Sequence, residues 1–405
     1  MRDSFTAQLG DLPGWKGADI VAEGVTYMIN RQRLTEEFAR LAAISSPPLR
    51  EGAIARYLAE RFAALGAEIL FDRADHATGG ETGNLIVRFP AAGRDGEPLL
   101  LSVHMDTVEP GGEVVPVLND GVFTSASGTI LGADDKAGIA ELIEALVVVR
   151  EQGIARGPVE VVVTIAEEIG LVGAKHLDFG LLRARQGFAL DTTGMGHMVL
   201  RAPGANRLRV EILGREAHAG VAPEQGLSAI QTAALALAEM RLGRIDAETT
   251  ANFGKIEGGV ACNIVPGRVS LEGEARSHDP AKLAEQTTHM VACFERAAER
   301  MARTIGGVPV RPQLQIDIQS DYPRMAVAED APVVRLAQAA AAATGQQLAI
   351  KLGGGGSDAN IFNAHGIETI ILATGMRDVH SPKESVAVDD MMTVAELLVE
   401  IIRRA

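Results

Sequence analysis

Two short, largely apolar runs constrain the fold of this chain more than any other feature of its sequence. Leu99 to Val103 and Val159 to Ile165 are dominated by leucine, valine and isoleucine, as strands are when helices cover both faces of their sheet. Between these runs, Ile139, Leu142 and Leu146 recur at helical spacing and form one apolar helix face. The order of strand, helix and strand predicts an α/β fold, a sheet flanked by helices.

The same alternation continues towards both ends of the chain. A helical pattern covers residues 51 to 65, and a strand pattern follows at Asn84 to Phe89. Towards the C-terminus, the pattern returns with an Ala-rich helix over 331 to 344, an apolar strand over Thr369 to Leu372 and a final helix over 388 to 403. We assign all of these segments to one α/β domain.

Residues 203 to 322 interrupt that domain with a different pattern. Apolar and polar residues alternate in three stretches, near Leu208, Val269 and Leu314, and helical patterns occupy 226 to 240 and 280 to 301. This order predicts an inserted ferredoxin-like α+β domain, in which two helices cover one face of a small antiparallel sheet. The predicted division is an N-terminal extension, a first part of the α/β domain, the inserted domain and a second part of the α/β domain, at residues 1–29, 30–202, 203–322 and 323–405.

Charge and cysteine content exclude several classes of partner. Lys and Arg number 38 against 53 Asp and Glu, a formal net charge of −15, so we expect neither nucleic acid nor an anionic membrane as a partner. No run approaches the roughly 20 apolar residues of a membrane span, and residues 1 to 29 lack the apolar core of a signal peptide. Because the two cysteines, Cys262 and Cys293, are far apart, we expect a cytoplasmic protein without a disulfide framework.

Polar residues that suit chemistry stand where the predicted strands end and where a helix begins. His104 and Asp106 close the first apolar run on the same side of the chain, where a histidine can bind a metal while the carboxylate orients it. A plain polar strand end explains the pair at least as well on its own. Asp134 and Asp135 stand just before a helix, where acids can also be simple partners of the helix dipole.

The strongest single indication is a pair of adjacent acids. Glu167 and Glu168 directly follow the second apolar run, and neighbouring buried carboxylates repel each other unless a cation or a proton neutralises them. Asp191 follows another short apolar run, and His380 stands in a late loop; either one alone has an ordinary structural explanation. Two imidazoles and three carboxylates at the ends of α/β strands together suit a two-metal centre, formed by His104, Asp134, Glu168, Asp191 and His380.

With these motifs, the sequence resembles the M20 family of metallopeptidases and, within it, the peptidase T-like branch. The resemblance covers residues 30 to 400 in family order. The matching segments are His104-Met-Asp106-Thr-Val, Gly-Ala-Asp134-Asp135-Lys-Ala-Gly, Ala-Glu167-Glu168-Ile-Gly-Leu-Val-Gly-Ala-Lys, Ala-Leu-Asp191, Ala-His218-Ala-Gly, Gly-Gly-Ser-Asp358-Ala-Asn and the late His380.

The resemblance implies two bound Zn²⁺ ions, with Co²⁺ or Mn²⁺ as substitutes. Asp134 would bridge the ions, His104 and Asp191 would complete one site, and Glu168 and His380 the other. Glu167 would be the general base of peptide hydrolysis, and Asp106 would hold His104 in position. In the family the peptide bond between Asp134 and Asp135 is cis.

The resemblance also implies a substrate class. The family commonly has Asp at the position of Asp191 in aminopeptidases and Glu in carboxypeptidases, so we expect an aminopeptidase, tripeptidase-like, acting on short peptides. The inserted domain would be a lid and would join a homodimer, with His218 stabilising the oxyanion from the same subunit or from its partner. Asn263 and Arg276 would bind the substrate. The run Gly353 to Gly356 would offer backbone N–H groups, from Gly354 and Gly355 above all, although a flexible loop has the same composition.

Two other functions remain open at this stage. An M20-type amidohydrolase or dipeptidase acting on N-acyl amino acids or dipeptides would use the same metals and the same base. A binding protein that keeps the fold with a decayed site is the alternative outside enzymes, and the complete ligand set argues against it.

Overall fold

The α/β part of the protein is built on one mixed sheet. The computed structural model describes residues 27–109 and 113–405, so the predicted extension at residues 1 to 29 lies outside the described residues except for its last three. The sheet has nine strands. Their bounds in sheet order are Glu68–Phe71, Leu85–Phe89, Val159–Thr164, Leu99–His104, Gln186–Thr192, Glu368–Ala373, His197–Ala202 and Met325–Ala326, and Ala349–Leu352 also pairs with His197–Ala202.

The two apolar runs that predicted the fold lie at the centre of this sheet. Leu99–His104 runs parallel to Val159–Thr164 on one side and to Gln186–Thr192 on the other. All six residues of each of the first two strands are buried. The prediction of a mixed sheet flanked by helices is confirmed, and the buried parallel strands explain the lack of polar alternation in these two segments.

Helices cover both faces of the sheet. Their bounds are Arg31–Ala43, Gly52–Ala64, Ala74–Thr78, Ala133–Glu151, Val172–Lys175, Pro332–Ala343, Asp358–Ala364 and Val388–Arg404. Ala133–Glu151 is buried along most of its length, since it contacts Arg31–Ala43 and Val388–Arg404 as well as the sheet. It begins at Ala133, earlier than its apolar face near Ile139 predicted, and Asp134 and Asp135 have non-helical backbone angles.

A second sheet lies within residues 203 to 322. It is five-stranded, and its order is Gly243–Arg244, Thr249–Gly258, Arg268–Ser277, Gly204–Leu213 and Gln313–Tyr322, all antiparallel. Two helices, Ala229–Glu239 and Pro280–Arg300, pack against each other and bury one face of the sheet around Leu208, Val210 and Phe294. The four long strands and two helices follow the βαββαβ order of a ferredoxin-like unit.

Short strands complete the described structure. Pro116–Asn119, Val122–Ser125 and Val386–Ala387 form a three-stranded sheet, Arg303–Ile305 pairs with Val308–Val310, and Ala217–His218 pairs with Ile264–Val265. In the part of the chain that is described, no helix is both long and apolar enough to cross a membrane.

Candidate metal centre

Three parallel strands bring the predicted metal ligands to one edge of the mixed sheet. His104 ends its strand, Glu167 and Glu168 follow Val159–Thr164, and Asp191 lies in the last part of Gln186–Thr192. Because the carboxyl ends of parallel strands meet at the same sheet edge, these side chains converge although they are far apart in sequence. Asp134 reaches the same edge from the start of the long buried helix.

The ligands form two groups that share one residue. His104, Asp134 and Asp191 make one group, and Asp134, Glu168 and His380 make the other; within each group the candidate ligand atoms lie within 4.8 Å of one another. His104 Nε2 is 3.0 Å from Asp134 Oδ1 and 4.0 Å from Asp191 Oδ1. His380 Nε2 is 3.3 Å from Asp134 Oδ2 and 3.0 Å from Glu168 Oε1.

The donor set fits two divalent cations. Each group offers one imidazole nitrogen and two carboxylates, and Zn²⁺ accepts both kinds of ligand. One oxygen of Asp134 faces each histidine, as a bridging carboxylate requires. The peptide bond between Asp134 and Asp135 is cis, as the family resemblance predicted.

Electrostatics also favour positive charge at this edge. Burial, and then the nearby charge of Asp191, raises the pKa of Glu167 well above its usual range. Burial, and then the charge of Asp134, raises the pKa of Asp191 to about 8. Hydrogen bonds with Asp134 and Glu168 raise the pKa of His380 to about 10. Two crowded acids that resist ionisation, beside a histidine that holds its proton, favour the binding of cations at this edge, because cations would neutralise the carboxylates.

Two buried carboxylates hold the main chain that carries Glu167 and Glu168. Asp106 accepts hydrogen bonds from the backbone N–H groups of Glu167 and Glu168 at 2.9 and 3.0 Å. Glu51 accepts the N–H of Ala166 at 2.9 Å. Ala166 has a φ of 49°, a left-handed conformation that costs free energy in a residue with a side chain. Three consecutive amides are therefore fixed from two other loops.

Asp106 also lies next to His104, the histidine that it is predicted to hold in position. Its Oδ1 lies 3.4 Å from His104 Nδ1, and its backbone carbonyl accepts from the same nitrogen at 3.0 Å. This contact leaves Nε2 turned towards Asp134. Asp106 therefore links the imidazole of His104 to the main chain of Glu167.

A third carboxylate, Glu384, holds the loop before Asp134. Its Oε2 accepts the N–H groups of Leu131 and Gly132 at 2.7 and 2.8 Å, and its Oε1 accepts the N–H of Asp134 at 3.0 Å. Glu384 stands four residues after His380, so it ties the loop of one histidine to the loop of the shared aspartate. The ligand loops are thus fixed to one another by carboxylate-to-amide hydrogen bonds.

A cavity of about 530 Å³ opens above the ligands, between the α/β part and the second sheet. Its floor includes Asp134, Glu167, Glu168, Asp191 and His380. Its opposite wall comes from residues 203 to 322 and from the glycine loop. These residues are Arg207, Glu274, Arg276, Asp321, Tyr322, Gly355 and Gly356.

The opposite wall holds charged pairs rather than ligands. Arg276 Nη2 lies 2.9 Å from Glu274, and Asp321 lies 2.6 Å from Lys175 Nζ and 3.4 Å from Arg207 Nη2. Asp321 is the extra residue where the pairing of Gln313–Tyr322 with its neighbour shifts register. In a regular strand two successive side chains point to opposite faces, so this bulge lets Asp321 and Tyr322 both line the cavity.

The glycine loop closes the cavity beside Tyr322. The Tyr322 hydroxyl accepts the N–H of Gly356 at 3.2 Å, and a methyl group placed on Gly356 would come within 2.5 Å of the ring. Glycine is therefore required at position 356 for the ring to approach. Gly355 lines the cavity with Gly356, whereas Gly354 is not among the residues that line it.

Two further predicted residues lie away from this cavity. His218 is exposed, and its short strand pairs with Ile264–Val265; the carbonyl of Asn263 accepts from the N–H of Ala219 at 2.9 Å. His218 and Asn263 are therefore neighbours, but neither is among the cavity-lining residues of this single described chain. Arg276, in contrast, lies in the cavity wall as expected.

Several site residues escaped the sequence analysis. Glu51 and Glu384 act on main-chain groups that are 115 and 250 residues away in sequence, so no local pattern marks them. Glu384 has one usable signal, its place in the loop of His380. Arg207 and Glu274 occupy ordinary positions of alternating strands, and Asp321 lies at a shift in strand register, so only the three-dimensional structure singles them out.

The fold and the site together define a hydrolytic peptidase, and comparison with known proteins agrees. The sequence profile described as "Peptidase family M20/M25/M40" matches residues 100–404. The chain belongs to this family.

Relatives over nearly the whole chain refine this assignment. The aminopeptidase PepT of Bacillus cereus is 42% identical with a TM-score of 0.82, over 93% of this chain and 99% of that one. A tripeptidase of Staphylococcus aureus is 38% identical with a TM-score of 0.85, over the same shares. The protein YqjE of Bacillus subtilis is 41% identical over 93% of this chain and 100% of its own length. The predicted resemblance to the peptidase T-like branch is confirmed.

Proposed function

We propose that this protein is a dinuclear zinc aminopeptidase that releases N-terminal residues from short peptides, tripeptides above all. The observation that carries the proposal is the shared position of Asp134 in two ligand groups, with Glu167 lining the same cavity. Two relatives, an aminopeptidase of Bacillus cereus and a tripeptidase of Staphylococcus aureus, support the substrate class.

The proposed ligand assignment follows the two groups. Asp134 would be shared by the two ions, His104 and Asp191 would complete one ligand set, and Glu168 and His380 would complete the other. Two bound Zn²⁺ ions supply Lewis acidity and lower the pKa of water in the site. Co²⁺ and Mn²⁺ are substitutes with the same ligand preferences in such a set.

Glu167 is the proposed general base. It lines the cavity beside the ligands, is 9% exposed, and has a raised pKa, which suits a group that takes up and returns a proton near neutral pH. It accepts a proton from the attacking water and delivers it to the amine that leaves when the peptide C–N bond breaks. Asp106 is the proposed positioning residue, since it contacts both His104 and the main chain of Glu167.

The wall facing the ligands is the proposed substrate-binding surface. Arg276 can pair with a substrate carboxylate or carbonyl, and the N–H group of Gly355, which lines the cavity, can reach a peptide backbone. The identity of Asp191 favours a substrate with a free α-amine. His218 and Asn263 complete the proposed set as oxyanion and carbonyl partners, brought in by movement of the inserted domain or by a second subunit.

We propose that the inserted domain is a lid and that it forms the interface of a homodimer. In the described residues, the outer edge of Thr249–Gly258 pairs only with the two-residue strand Gly243–Arg244, so most of that edge is open. Exposed apolar side chains lie nearby, with Ile256 54% and Val260 74% accessible. An open strand edge bordered by apolar residues fits a second copy of the same sheet.

We also propose a cytoplasmic location. The chain has two cysteines, and this low cysteine content fits a reducing compartment.

The proposal is tested with metal-reconstituted protein and matched pairs of peptides. We expect trialanine with a free α-amine to be cleaved at its first peptide bond. N-acetyl-trialanine, which differs only at the amine, should be cleaved at least about a hundredfold more slowly in kcat/KM, because a free amine is the group an aminopeptidase recognises. Faster turnover of the N-blocked peptide would replace the aminopeptidase with the amidohydrolase alternative.

Metal content is measured on the same samples. We expect about two Zn²⁺ per chain, as the two ligand groups require. A chain that binds no zinc, cobalt or manganese after reconstitution and cleaves neither peptide would be a binding protein, and the proposed function would be lost.

A further inference from the structure

The wall opposite the ligands holds an arginine to which neither the sequence motifs nor the proposed ligand set gives a role. Arg207 lines the cavity from the second sheet, and its side chain is 37% accessible. Its guanidinium contacts Asp321 through Nη2 at 3.4 Å, which is long for a charge-assisted hydrogen bond. A guanidinium has five N–H donors, so this contact engages a small part of its capacity.

Asp321 already forms an ion pair with a second positively charged side chain, Lys175. Its Oδ1 lies 2.6 Å from Lys175 Nζ, a short ion pair. Lys175 and Arg207 therefore share one carboxylate, and the cluster of these three side chains has a formal charge of +1. Arg276, next along the same wall, is paired one to one with Glu274 at 2.9 Å. Lys175, on the helix Val172–Lys175 of the α/β part, supplies this excess, because the charges of Arg207, Glu274, Arg276 and Asp321 on the wall itself balance.

Gly170 brings the main chain that follows Glu168 close to Arg207. A methyl group placed on Gly170 would lie at ordinary contact distance, 3.4 Å from Arg207 Nη2 and 3.5 Å from Asp321 Oδ1. The φ of 111° at this position suits glycine. Gly170 and Arg207 both line the cavity, so a small ligand group in the cavity can reach the guanidinium.

Arg207 and the predicted metal ligands line the same cavity. Gly170 follows the predicted ligand Glu168 by two residues, in a turn closed by the hydrogen bond from the Gly170 N–H to the carbonyl of Glu167. A peptide whose first peptide bond lies at the ligands can therefore present a carboxylate further along its chain to Arg207.

We propose that Arg207 is a specificity-determining residue that binds a carboxylate of the peptide substrate beyond the residue that is released. This inference rests on the proposed aminopeptidase function. The carboxylate can come from the C-terminus of the peptide or from an acidic side chain at its third residue, and both sources present the same bidentate partner to a guanidinium.

The test compares R207Q with a matched control on the same strand. Arg209 lies two residues further on and therefore points to the same face, but it lines a different surface groove. R209Q removes the same charge without touching the cavity. Each protein is assayed with trialanine, with trialanine amide, and with Ala-Ala-Asp amide, and thermal stability is recorded to compare folding.

We expect the wild type to prefer trialanine over its amide by at least tenfold in kcat/KM. R207Q should lose at least tenfold on trialanine, mainly through a higher KM, and less than threefold on the amide. R209Q should stay within twofold of the wild type on both. If Ala-Ala-Asp amide is instead the preferred peptide of the wild type and loses at least tenfold in R207Q, the carboxylate that Arg207 binds is the side-chain one.

Two results would overturn the inference while leaving the proposed function intact. One is a wild type that cleaves trialanine, its amide and Ala-Ala-Asp amide equally well. The other is an R207Q variant that loses activity equally on all three. Failure of the wild type to cleave any of these free-amine peptides would overturn the proposed function itself, and the inference with it.

Discussion

The two walls of the cavity differ in how far their side chains are exposed to solvent. On the α/β wall, the side chains of His104, Glu168 and Asp134 are 2, 7 and 11% accessible and are fixed through buried hydrogen bonds. On the facing wall, the side chains of Arg207 and Glu274 are 37 and 40% accessible and take part in ion pairs near water. His380 is the exception among the proposed ligands, since its side chain is 50% accessible. The other three hold their geometry through burial, whereas Arg207 and Glu274, which would meet a variable ligand, remain partly hydrated.

The difference in exposure affects how much free energy a substitution on each wall is expected to cost. Partly exposed ion pairs each stabilise a protein by about 0–1 kcal/mol, and removing one partner of a buried charged pair costs about 3–5 kcal/mol. Substitutions on the α/β wall should therefore disturb metal binding, catalysis and stability together. Substitutions on the facing wall should alter substrate preference and leave the fold intact.

Removal of the shared aspartate should have the largest effect. D134A takes a ligand from both groups, so we expect less than one Zn²⁺ per chain and a loss of activity of at least about a thousandfold. H380A takes a ligand from one group only and should keep about one ion. Metal analysis after reconstitution measures both. A D134A protein that still binds two ions would contradict the shared role of Asp134.

Substitution of the proposed base separates chemistry from metal binding on the same wall. E167Q keeps the shape of the side chain and removes its ability to take up a proton, so kcat should fall at least about a hundredfold with about two Zn²⁺ retained. Steady-state kinetics and metal analysis on one preparation test this. Near-normal turnover would remove Glu167 from the proposed mechanism.

The proposed role of His218 in the inserted domain is tested by exchange between subunits. H218A and E167Q are each expected to be nearly inactive alone. If His218 of the partner subunit completes the site, a mixed dimer has one intact site, and random pairing of equal amounts should restore about a quarter of wild-type activity. Coexpression of the two variants with distinct purification tags measures this. Absence of any recovery, with a monomeric mass by light scattering, would place His218 in its own chain.

The smallest expected effect concerns the carboxylate that holds Ala166. Burial, and then the charge of Asp106, raises the pKa of Glu51 to about 7 from an ordinary value of 4.5. The folded state therefore binds a proton more tightly than the unfolded state, so the stability that the neutral carboxyl provides is present below pH 4.5 and is lost as the pH rises through 7. E51Q remains neutral throughout this range.

Denaturant unfolding of E51Q and wild type tests this sign. Relative to the wild type, E51Q should gain about 3 kcal/mol in free energy of unfolding between pH 4.5 and pH 7.5. E60Q, at an exposed acid of the following helix, is the matched control. A difference between E51Q and wild type that does not change with pH would contradict a raised pKa of Glu51 in the folded protein.

Much of the α/β wall could be predicted from the sequence. Buried parallel strands leave unmistakable apolar runs, and the polar residues that end them, such as His104 and Glu168, fall together because parallel strands share an edge. The strands His197–Ala202 and Thr249–Gly258 were missed. The second of them is mostly polar and exposed along half its length, so it carries no apolar pattern.

Other residues of the site are not marked by any pattern in the amino-acid sequence. Glu51 and Glu384 bind main-chain amides, and any residue can provide an amide, so their partners cannot be inferred from side-chain types. Asp321 reaches the cavity because of a one-residue shift in strand pairing, which depends on the neighbouring strand. Contacts of this kind are properties of the folded chain.

The one-residue shift at Asp321 also indicates how the substrate specificity of the enzyme could change during evolution. Deleting a single residue at the bulge would restore regular alternation, so Asp321 and Tyr322 could no longer both face the cavity. The loss would occur near the end of Gln313–Tyr322, beyond the packed centre of the second sheet and without any change to the metal ligands. Within this architecture, insertions and deletions of one residue are therefore a direct evolutionary route to new specificity.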